Sequence, residues 1–289
     1  MNPFNYNEAF SRNLGWIDSK EQSTLKSKRI AIAGMGGVGF DHMVRMARLG
    51  VGNFTLSDLD VFEQVNFNRQ YGATMSTVGQ PKVDVAEEVL RSINPEAEVR
   101  SLKDGVNEEN LDEFLADADI YIDSLDFFAL DIRRAVFRRC RELGIPAITA
   151  APMGMVTALL VFTQDSMSFD DYFDFDSVDG FEDKMIKFIV GLSPSMQQRH
   201  YIGDEGGIDL YQRRVPSTAL GSSLAAGVAC TTALKVLLQR GEIVVAPRGL
   251  HFDAYQNRCV NTWRPWGNKN PIQKALFHLT KRLLNSKRS

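Results

Sequence analysis

The chain offers little sulfur chemistry. Its three cysteines, Cys140, Cys230 and Cys259, are odd in number and lie dozens of residues apart. Neither a disulfide framework nor a CxxC zinc knuckle can be built from them, structural roles are expected for all three, and a reducing cytoplasm is the expected setting. His42, His200, His251 and His278 fall at no metal-ligand spacing and read as ordinary surface or packing residues. No stretch approaches the roughly 18 apolar residues of a membrane span; the longest apolar run, residues 153–162, is broken by Gly154 and Thr157. The opening MNPFNYNEAFSRN lacks the charged-then-apolar pattern of a secretory leader. Acid is missing from the end of the chain: no Asp or Glu follows Asp253, while eight Lys and Arg fall in the last 36 residues. Base is missing from residues 165–183, which hold seven Asp and one Glu without a Lys or Arg. The net charge of −3 therefore excludes a uniformly basic nucleic-acid binder while concealing two oppositely charged stretches.

What is present is ample core material, 44% apolar in 289 residues, arranged as alternating strand and helix signals. This predicts an α/β, Rossmann-like doubly wound sheet. Residues 29–34 (RIAIAG) read as a buried first strand, 37–49 as a helix and 54–58 (FTLSD) as a second strand. Pro81 suits the first turn of a helix over 82–93, which Asn94-Pro95 stops. Further strands are expected at 98–102, 120–123 and 147–150, with helices at 108–115 and 130–143. Residues 155–162 follow too closely for a crossover helix, so they should run antiparallel and make the sheet mixed, parallel in its first half with antiparallel strands in its second. The acidic stretch 165–183, interleaved with Phe169, Tyr172, Phe173, Phe175 and Phe181, is expected to be long and irregular. Ser217 should cap an apolar helix over 218–240, closed by Gly241. Strands at 250–254 and 259–263 and a basic helix from Pro271, with Ile272, Leu276, Leu279 and Leu283 as its apolar stripe, complete the reading. It divides the chain into an N-terminal helical arm (1–27), a nucleotide-binding half (28–164), a crossover segment (165–216), a second half (217–265) and a basic amphipathic C-terminal helix (266–289).

The chemistry gathers early. Gly34-Met35-Gly36-Gly37-Val38-Gly39 stands where the first strand turns into the first helix, and Asp58 ends the second strand. Glycines let backbone N–H groups approach a phosphate at a helix N-terminus, and a carboxylate accepts from ribose hydroxyls. That much indicates a nucleotide of any kind, NAD and FAD included. The next residues discriminate: Asp60, then Asn66-Phe67-Asn68-Arg69-Gln70, then Gly79-Gln80-Pro81-Lys82, and later Asp126 just past the fourth strand. A redox cofactor would leave Arg69 and Lys82 idle, whereas a site that neutralises a triphosphate needs such cations. Asp126, at the carboxyl end of the parallel strands, suits a Mg²⁺ that keeps most of its waters.

This set of motifs resembles the ThiF/MoeB family, the adenylation fold of ubiquitin-activating enzymes, over residues 10–162 and more loosely over 217–240. The resemblance implies MgATP-dependent adenylylation of a carboxylate, commonly the C-terminal glycine of a ubiquitin-like protein, with release of pyrophosphate. It implies that Asp58, with Asp60, holds the ribose. Gly34, Gly36, Gly37, Gly39, Asn66, Arg69, Gln70 and Lys82 would serve the nucleotide and its phosphates, and Asp126 the magnesium. Arg12 would be an arginine finger reaching the ATP of the partner subunit in a homodimer, so that Arg12, Arg69, Lys82 and Asp126 form the catalytic set. The sequence departs from the pattern in three places. It has no paired CxxC motifs, so structural zinc is not expected. It has no cysteine in residues 164–216, where thioester-forming relatives place their nucleophile, so the acyl-adenylate is expected without a crossover thioester. Phe127-Phe128 follows Asp126 where relatives often carry a polar residue. The expected substrate is the carboxylate of a small protein or peptide, steered as a basic terminus by the acidic segment. The basic C-terminal helix fits an anionic membrane surface, a partner, or the chain's own acidic body. A tRNA-modifying reading, similar to the threonylcarbamoyladenosine dehydratases, and a non-catalytic nucleotide-binding scaffold stand as alternatives.

Overall fold

The computed structural model describes residues 3–193, 195–202, 209–210 and 212–286. Lys287 and Arg288 of the basic tail, and residues 194, 203–208 and 211 of the crossover segment, lie outside the described residues.

The strands are β1 (Arg29–Ala33), β2 (Asn53–Ser57), β3 (Glu98–Leu102), β4 (Ile120–Asp123), β5 (Ala147–Met153), β6 (Val156–Phe162), β7 (Arg248–Asp253) and β8 (Arg258–Trp263). They form one eight-stranded sheet in the order β3-β2-β1-β4-β5-β6-β7-β8. The first five run parallel, and β6, β7 and β8 are added antiparallel, as the short link at Gly154 requires. The continuous apolar reading of β1 has a physical cause: all five residues are buried because helices cover both faces. One face carries α2 (Ser19–Ser27), α3 (Gly39–Arg48), α4 (Lys82–Ile93) and α9 (Ala219–Leu238); the core there includes Leu25, Met43, Val83 and Ala229. The other carries α5 (Leu111–Leu115), α6 (Leu130–Leu143), α7 (Phe169–Phe173), α8 (Phe181–Leu192) and α10 (Pro271–Ser286), around Phe114, Phe137, Phe173 and Phe188. A short α1 (Tyr6–Ala9) precedes them. Strand order reverses between β1 and β4, so their carboxyl ends, Ala33 and Asp123, face a crevice at the topological switch point.

Three expectations are corrected. The acidic stretch 165–183 is not irregular: it holds α7, a 3₁₀ turn at Phe175–Ser177 and the start of α8. Phe169, Tyr172 and Phe173 stand at helical spacing and are buried with Phe175, Phe169 stacking on Phe137 at 4.2 Å between centroids. Four of the five interleaved aromatics are thus core residues, and Phe181 is exposed. Several of the carboxylates are paired within the chain, although Asp165, Asp171, Asp176 and Asp179 remain exposed. Arg134 of α6 binds Asp170 at 2.6 Å and Asp176 at 2.8 Å, Lys187 pairs with Asp174 and Lys281 with Asp183 at 2.7 Å. Internal cations take up much of the field that was to steer a basic substrate.

The same contacts place the C-terminal helix. Of the three surfaces considered for it, docking on the chain's own acidic body is the arrangement observed, with α10 lying along α8. Its buried face is Gln273, Leu276, Phe277, Thr280 and Leu284; of the expected stripe only Leu276 turns inward, while Ile272, Leu279 and Leu283 are exposed. The third correction is at α9, whose cap is Thr218, accepting from the Gly221 N–H, rather than Ser217. It ends at Gln239 in the left-handed region, before Gly241. By length and composition alone this 20-residue helix is apolar enough to cross a membrane, yet here it packs on α3, β5 and β6.

Candidate active site

The glycine loop divides into two kinds of glycine. Gly34 has φ +92°, and a Cβ there would stand 2.1 Å from the Ser124 carbonyl oxygen. At Gly39 it would stand 1.7 Å from the carbonyl oxygen of Gly34. Packing forbids a side chain at both. Gly36 and Gly37 differ: an added Cβ would lie 3.6 Å from Gln70 Nε2 and 3.2 Å from Ser222 Oγ, respectively. The fold nearly tolerates side chains there, which leaves open backbone at the mouth of the crevice. Just beyond, α3 begins at Val38 with no side chain capping its first turn. Its N–H groups present the positive end of the helix to the crevice. We predict that Gly36→Ala keeps a melting temperature within about a degree of the parent but weakens ATP binding at least tenfold by calorimetric titration. Gly34→Ala should lose about 2 kcal/mol or more of unfolding free energy, through clash and left-handed backbone strain.

Asp58 knits this loop to β2. Its Oδ2 accepts from the Met35 N–H at 2.6 Å and its Oδ1 from the Asp60 N–H at 2.8 Å. Burial raises its pKa, opposed by those two donors and by Lys82. Lys82 opens α4 with only 6% of its surface exposed and binds Asp60 at 3.0 Å. Asn66 is buried, its Oδ1 accepting from the Glu63 N–H. Gln70 is buried beside Gly36, and its Oε1 has no partner. Arg69 lies against Gly37, its Cγ 3.7 Å from where a Cβ would be. Its Nη1 donates to the Val65 carbonyl at 3.0 Å and to Asn68 Oδ1 at 2.9 Å. Among the described residues no carboxylate pairs with it. Asn68 in turn donates to the Ser217 carbonyl at 3.0 Å, bringing the start of α9 and Ser222 to the crevice. Gly36, Gly37, Arg69 and Gln70 therefore lie together, and Lys82 is linked to the loop through Asp60 and Asp58.

Asp126 lies across the crevice on the loop after β4. It is exposed, and its Oδ1 accepts from the Phe128 N–H at 2.9 Å. Among the described residues no cluster of three potential metal ligands occurs. A lone carboxylate still suits a Mg²⁺ ion that takes its other oxygens from phosphates and water.

The sequence reading missed the group that holds this loop, Arg133. The residue is 3% exposed, and its guanidinium donates to Asp123 Oδ2 at 2.9 Å, the Leu125 carbonyl at 2.7 Å and the Asp126 carbonyl at 3.0 Å. Tyr121 completes Asp123 by donating to its Oδ1 at 3.2 Å. A signal was available: Arg133 shares the buried face of α6 with Leu130, Phe137 and Cys140. An arginine on an apolar face requires a buried acceptor set.

Arg12 is not brought to this group. It is exposed on a turn anchored at the far end of α3, where Asn13 donates to the Leu49 carbonyl at 3.3 Å and Gln22 to the same oxygen at 2.9 Å. The ten residues of α3 separate that anchor from the glycine loop, a rise of about 15 Å. Within one chain Arg12 does not meet its own nucleotide site. Cys140 and Cys230 are buried, and burial pushes both thiols up, Cys230 to about 12; Cys259 is exposed on the edge strand β8. His42, pushed down to about 3 by burial, is neutral beneath the glycine loop, its Nδ1 2.9 Å from Ser124 Oγ.

Comparison with known proteins agrees with this geometry. Residues 10–275 match the ThiF family, and the chain belongs to it. It is 39% identical over 142 residues to the tRNA threonylcarbamoyladenosine dehydratase of Bacillus subtilis, covering 49% of this chain and 55% of that protein. It is 33% identical over 147 residues to the molybdopterin-synthase adenylyltransferase of Escherichia coli, covering 51% and 58%. The match thus spans little more than half the length of these relatives. The fold is similar to the crystal structure of E. coli MccB with ATP, at a TM-score of 0.66 and 20% identity, covering 92% of this chain and 74% of that one.

Proposed function

We propose that this ThiF-family chain uses MgATP to adenylylate a carboxylate, giving an acyl-adenylate and pyrophosphate. The observation that carries the reading is Arg69: a cation with no carboxylate partner among the described residues, held against Gly37 at the uncapped N-terminus of α3. In this reading the loop N–H groups and Arg69 receive phosphoryl oxygens, Asp58 the ribose and Gln70 Oε1 a nucleotide donor. Lys82 exchanges part of its bond to Asp60 for phosphate. Asp126 would hold Mg²⁺, which when bound supplies charge neutralisation to the phosphates. Attack needs no general base, because a carboxylate is already ionised at neutral pH; positioning and stabilisation of the departing charge supply the rate.

A second copy completes the site in this proposal. Val65, Phe67 and Tyr71, which flank Arg69 in the chain, are exposed, as are Met75 and Leu220, and exposed apolar side chains of this kind suit an interface. A two-fold homodimer through this face would let Arg12, remote from its own site, serve its neighbour's. For the substrate, a protein or peptide C-terminus is preferred. A tRNA-borne carboxylate is the second reading, favoured by the identity to the Bacillus protein.

ATP–pyrophosphate exchange measured with a synthetic peptide ending in Gly-Gly, and separately with total tRNA, tests both. Exchange with the peptide supports the first reading, exchange only with tRNA the second, and ATP binding without exchange in either assay points to a nucleotide-binding scaffold.

A further inference from the structure

A second group of reactive side chains lies outside the nucleotide crevice, in the segment between α8 and α9. α8 packs on one face of the sheet and α9 on the opposite one. Among the described residues between them, Gln198 meets the β5–β6 turn, its Nε2 3.5 Å from Met153 Sδ. Tyr201 packs over Gly154. The Gly154 carbonyl accepts from Thr218 Oγ1 at 2.5 Å, one helical turn before Ser222 beside Gly37. The segment and the glycine loop therefore share one edge.

Here Ser195 Oγ is hydrogen-bonded to His251 Nδ1. His251 stands on β7, 1% exposed, its Nε2 without a partner. Burial lowers its pKa to about 4, opposed by Asp253, so the ring is a free base at neutral pH. Asp253, two residues along the strand and so on the same face, is wholly buried. It accepts from the Tyr201 hydroxyl at 3.2 Å and the Gln256 N–H at 2.9 Å. Gln197 brings its amide Nε2 3.4 Å from Ser195 Oγ, and its Oε1 has no partner. A hydroxyl on an imidazole, with a buried carboxylate on the same strand face and an amide donor beside the hydroxyl, supplies the parts of a nucleophilic site.

We infer that Ser195 is a second nucleophile that takes the acyl group from the adenylate as an oxyester, with His251 as its base. The chain has no cysteine between residues 164 and 216, and Ser195 lies in that interval. In the transfer the Ser195 Oγ–acyl carbon bond forms and the acyl carbon–phosphate oxygen bond breaks. AMP leaves with that electron pair, and the hydroxyl proton passes to His251 Nδ1. Gln197 Nε2 donates to the carbonyl oxygen as it becomes anionic, and Asp253 stabilises the imidazolium by charge. The acyl source rests on the proposed adenylylation; the nucleophilic pair does not.

The experiment therefore separates the two. The full chain is treated, without ATP, with a fluorophosphonate probe, and the modified residue is located by peptide mass spectrometry. Labelling is expected at Ser195, absent in Ser195→Ala and at least tenfold slower in His251→Asn, with folding of both variants checked by circular dichroism. No label at Ser195, or a rate unchanged in folded His251→Asn, overturns the inference. In parallel, the Gly-Gly peptide with MgATP should leave a hydroxylamine-labile adduct on Ser195. Pyrophosphate exchange with that peptide but no adduct overturns the transfer step. Probe labelling in a chain that shows no exchange with any carboxylate leaves the nucleophile standing and removes the adenylylation reading instead.

Discussion

Arg69→Ala is expected to lower ATP–pyrophosphate exchange at least 100-fold while leaving thermal stability nearly unchanged. The two halves of that expectation have separate causes. The guanidinium's own bonds go to an exposed carbonyl and an exposed side chain, Val65 and Asn68, so removing it uncovers no buried partner. The stability change should stay near the ±0.5 kcal/mol of an ordinary surface substitution. Its place against Gly37 is different. A preorganised donor aimed at charge that develops in a transition state contributes roughly 3–4 kcal/mol to the barrier, the factor behind the expected loss. Arg69→Lys should recover only part of it, because an ammonium keeps the charge but not the planar fork that meets two oxygens at once. Lys82→Ala makes a useful contrast: it also frees Asp60, which is solvent-accessible and easily hydrated, so exchange should again fall with a small stability cost. Exchange within threefold of the parent in Arg69→Ala would remove Arg69 from the phosphate site and, with it, the main support for the function proposed.

The parallel half was legible because its signals are local and redundant. The apolar run at residues 30–33, a glycine turn and a helix bounded by Pro81 and Asn94-Pro95 all indicate the same crossover pattern, and the residues read as phosphate-facing, Gly36, Gly37, Arg69 and Lys82, lie on the loops and helix start between those elements. The later half was legible only in outline. Residues 165–183 combine eight acidic residues with aromatics, and high charge density reads as solvated loop. Yet Phe169, Tyr172 and Phe173 already stood at helical spacing, and the cations that neutralise the segment, Arg134, Lys187 and Lys281, come partly from distant helices. A charge balance made across the fold is not visible in a window of sequence. Ser195 and His251 were hidden in the same way: 56 residues separate them, and only the antiparallel return of β7 beneath the crossover segment brings them into contact. Arg12 shows the complement of this limit. Its motif was readable, but its distance from its own glycine loop follows only from where the N-terminal turn docks.

The largest stability effect should come from a residue that touches no phosphate. Arg133→Met is expected to lower the unfolding free energy by about 3–5 kcal/mol, the usual cost of leaving one member of a buried ion pair uncompensated. Asp123 would lose the cation at 2.9 Å and keep only the Tyr121 hydroxyl and the Leu125 N–H. The Leu125 carbonyl would lose its guanidinium donor, and the Asp126 carbonyl would keep only the Ala129 N–H. The ring of Phe188, 5.0 Å from the guanidinium, would pack on methionine in its place, so loss of volume is a minor part of the expected change. The double variant Asp123→Asn with Arg133→Met should recover much of the loss, since no buried charge is then left unpaired. Urea unfolding of the four proteins gives the coupling directly; a single-variant loss below about 1 kcal/mol would mean that the pair is solvated and does not hold the loop. Function separates from stability here. The double variant, though folded, still lacks the guanidinium that donates to the Leu125 and Asp126 carbonyls, so its affinity for Mn²⁺ as a magnesium substitute, measured by electron paramagnetic resonance in the presence of ATP, should remain at least tenfold weaker than the parent's. Recovery of stability without recovery of metal affinity would identify Arg133 as the residue that positions Asp126, whereas recovery of both would confine it to holding the core together.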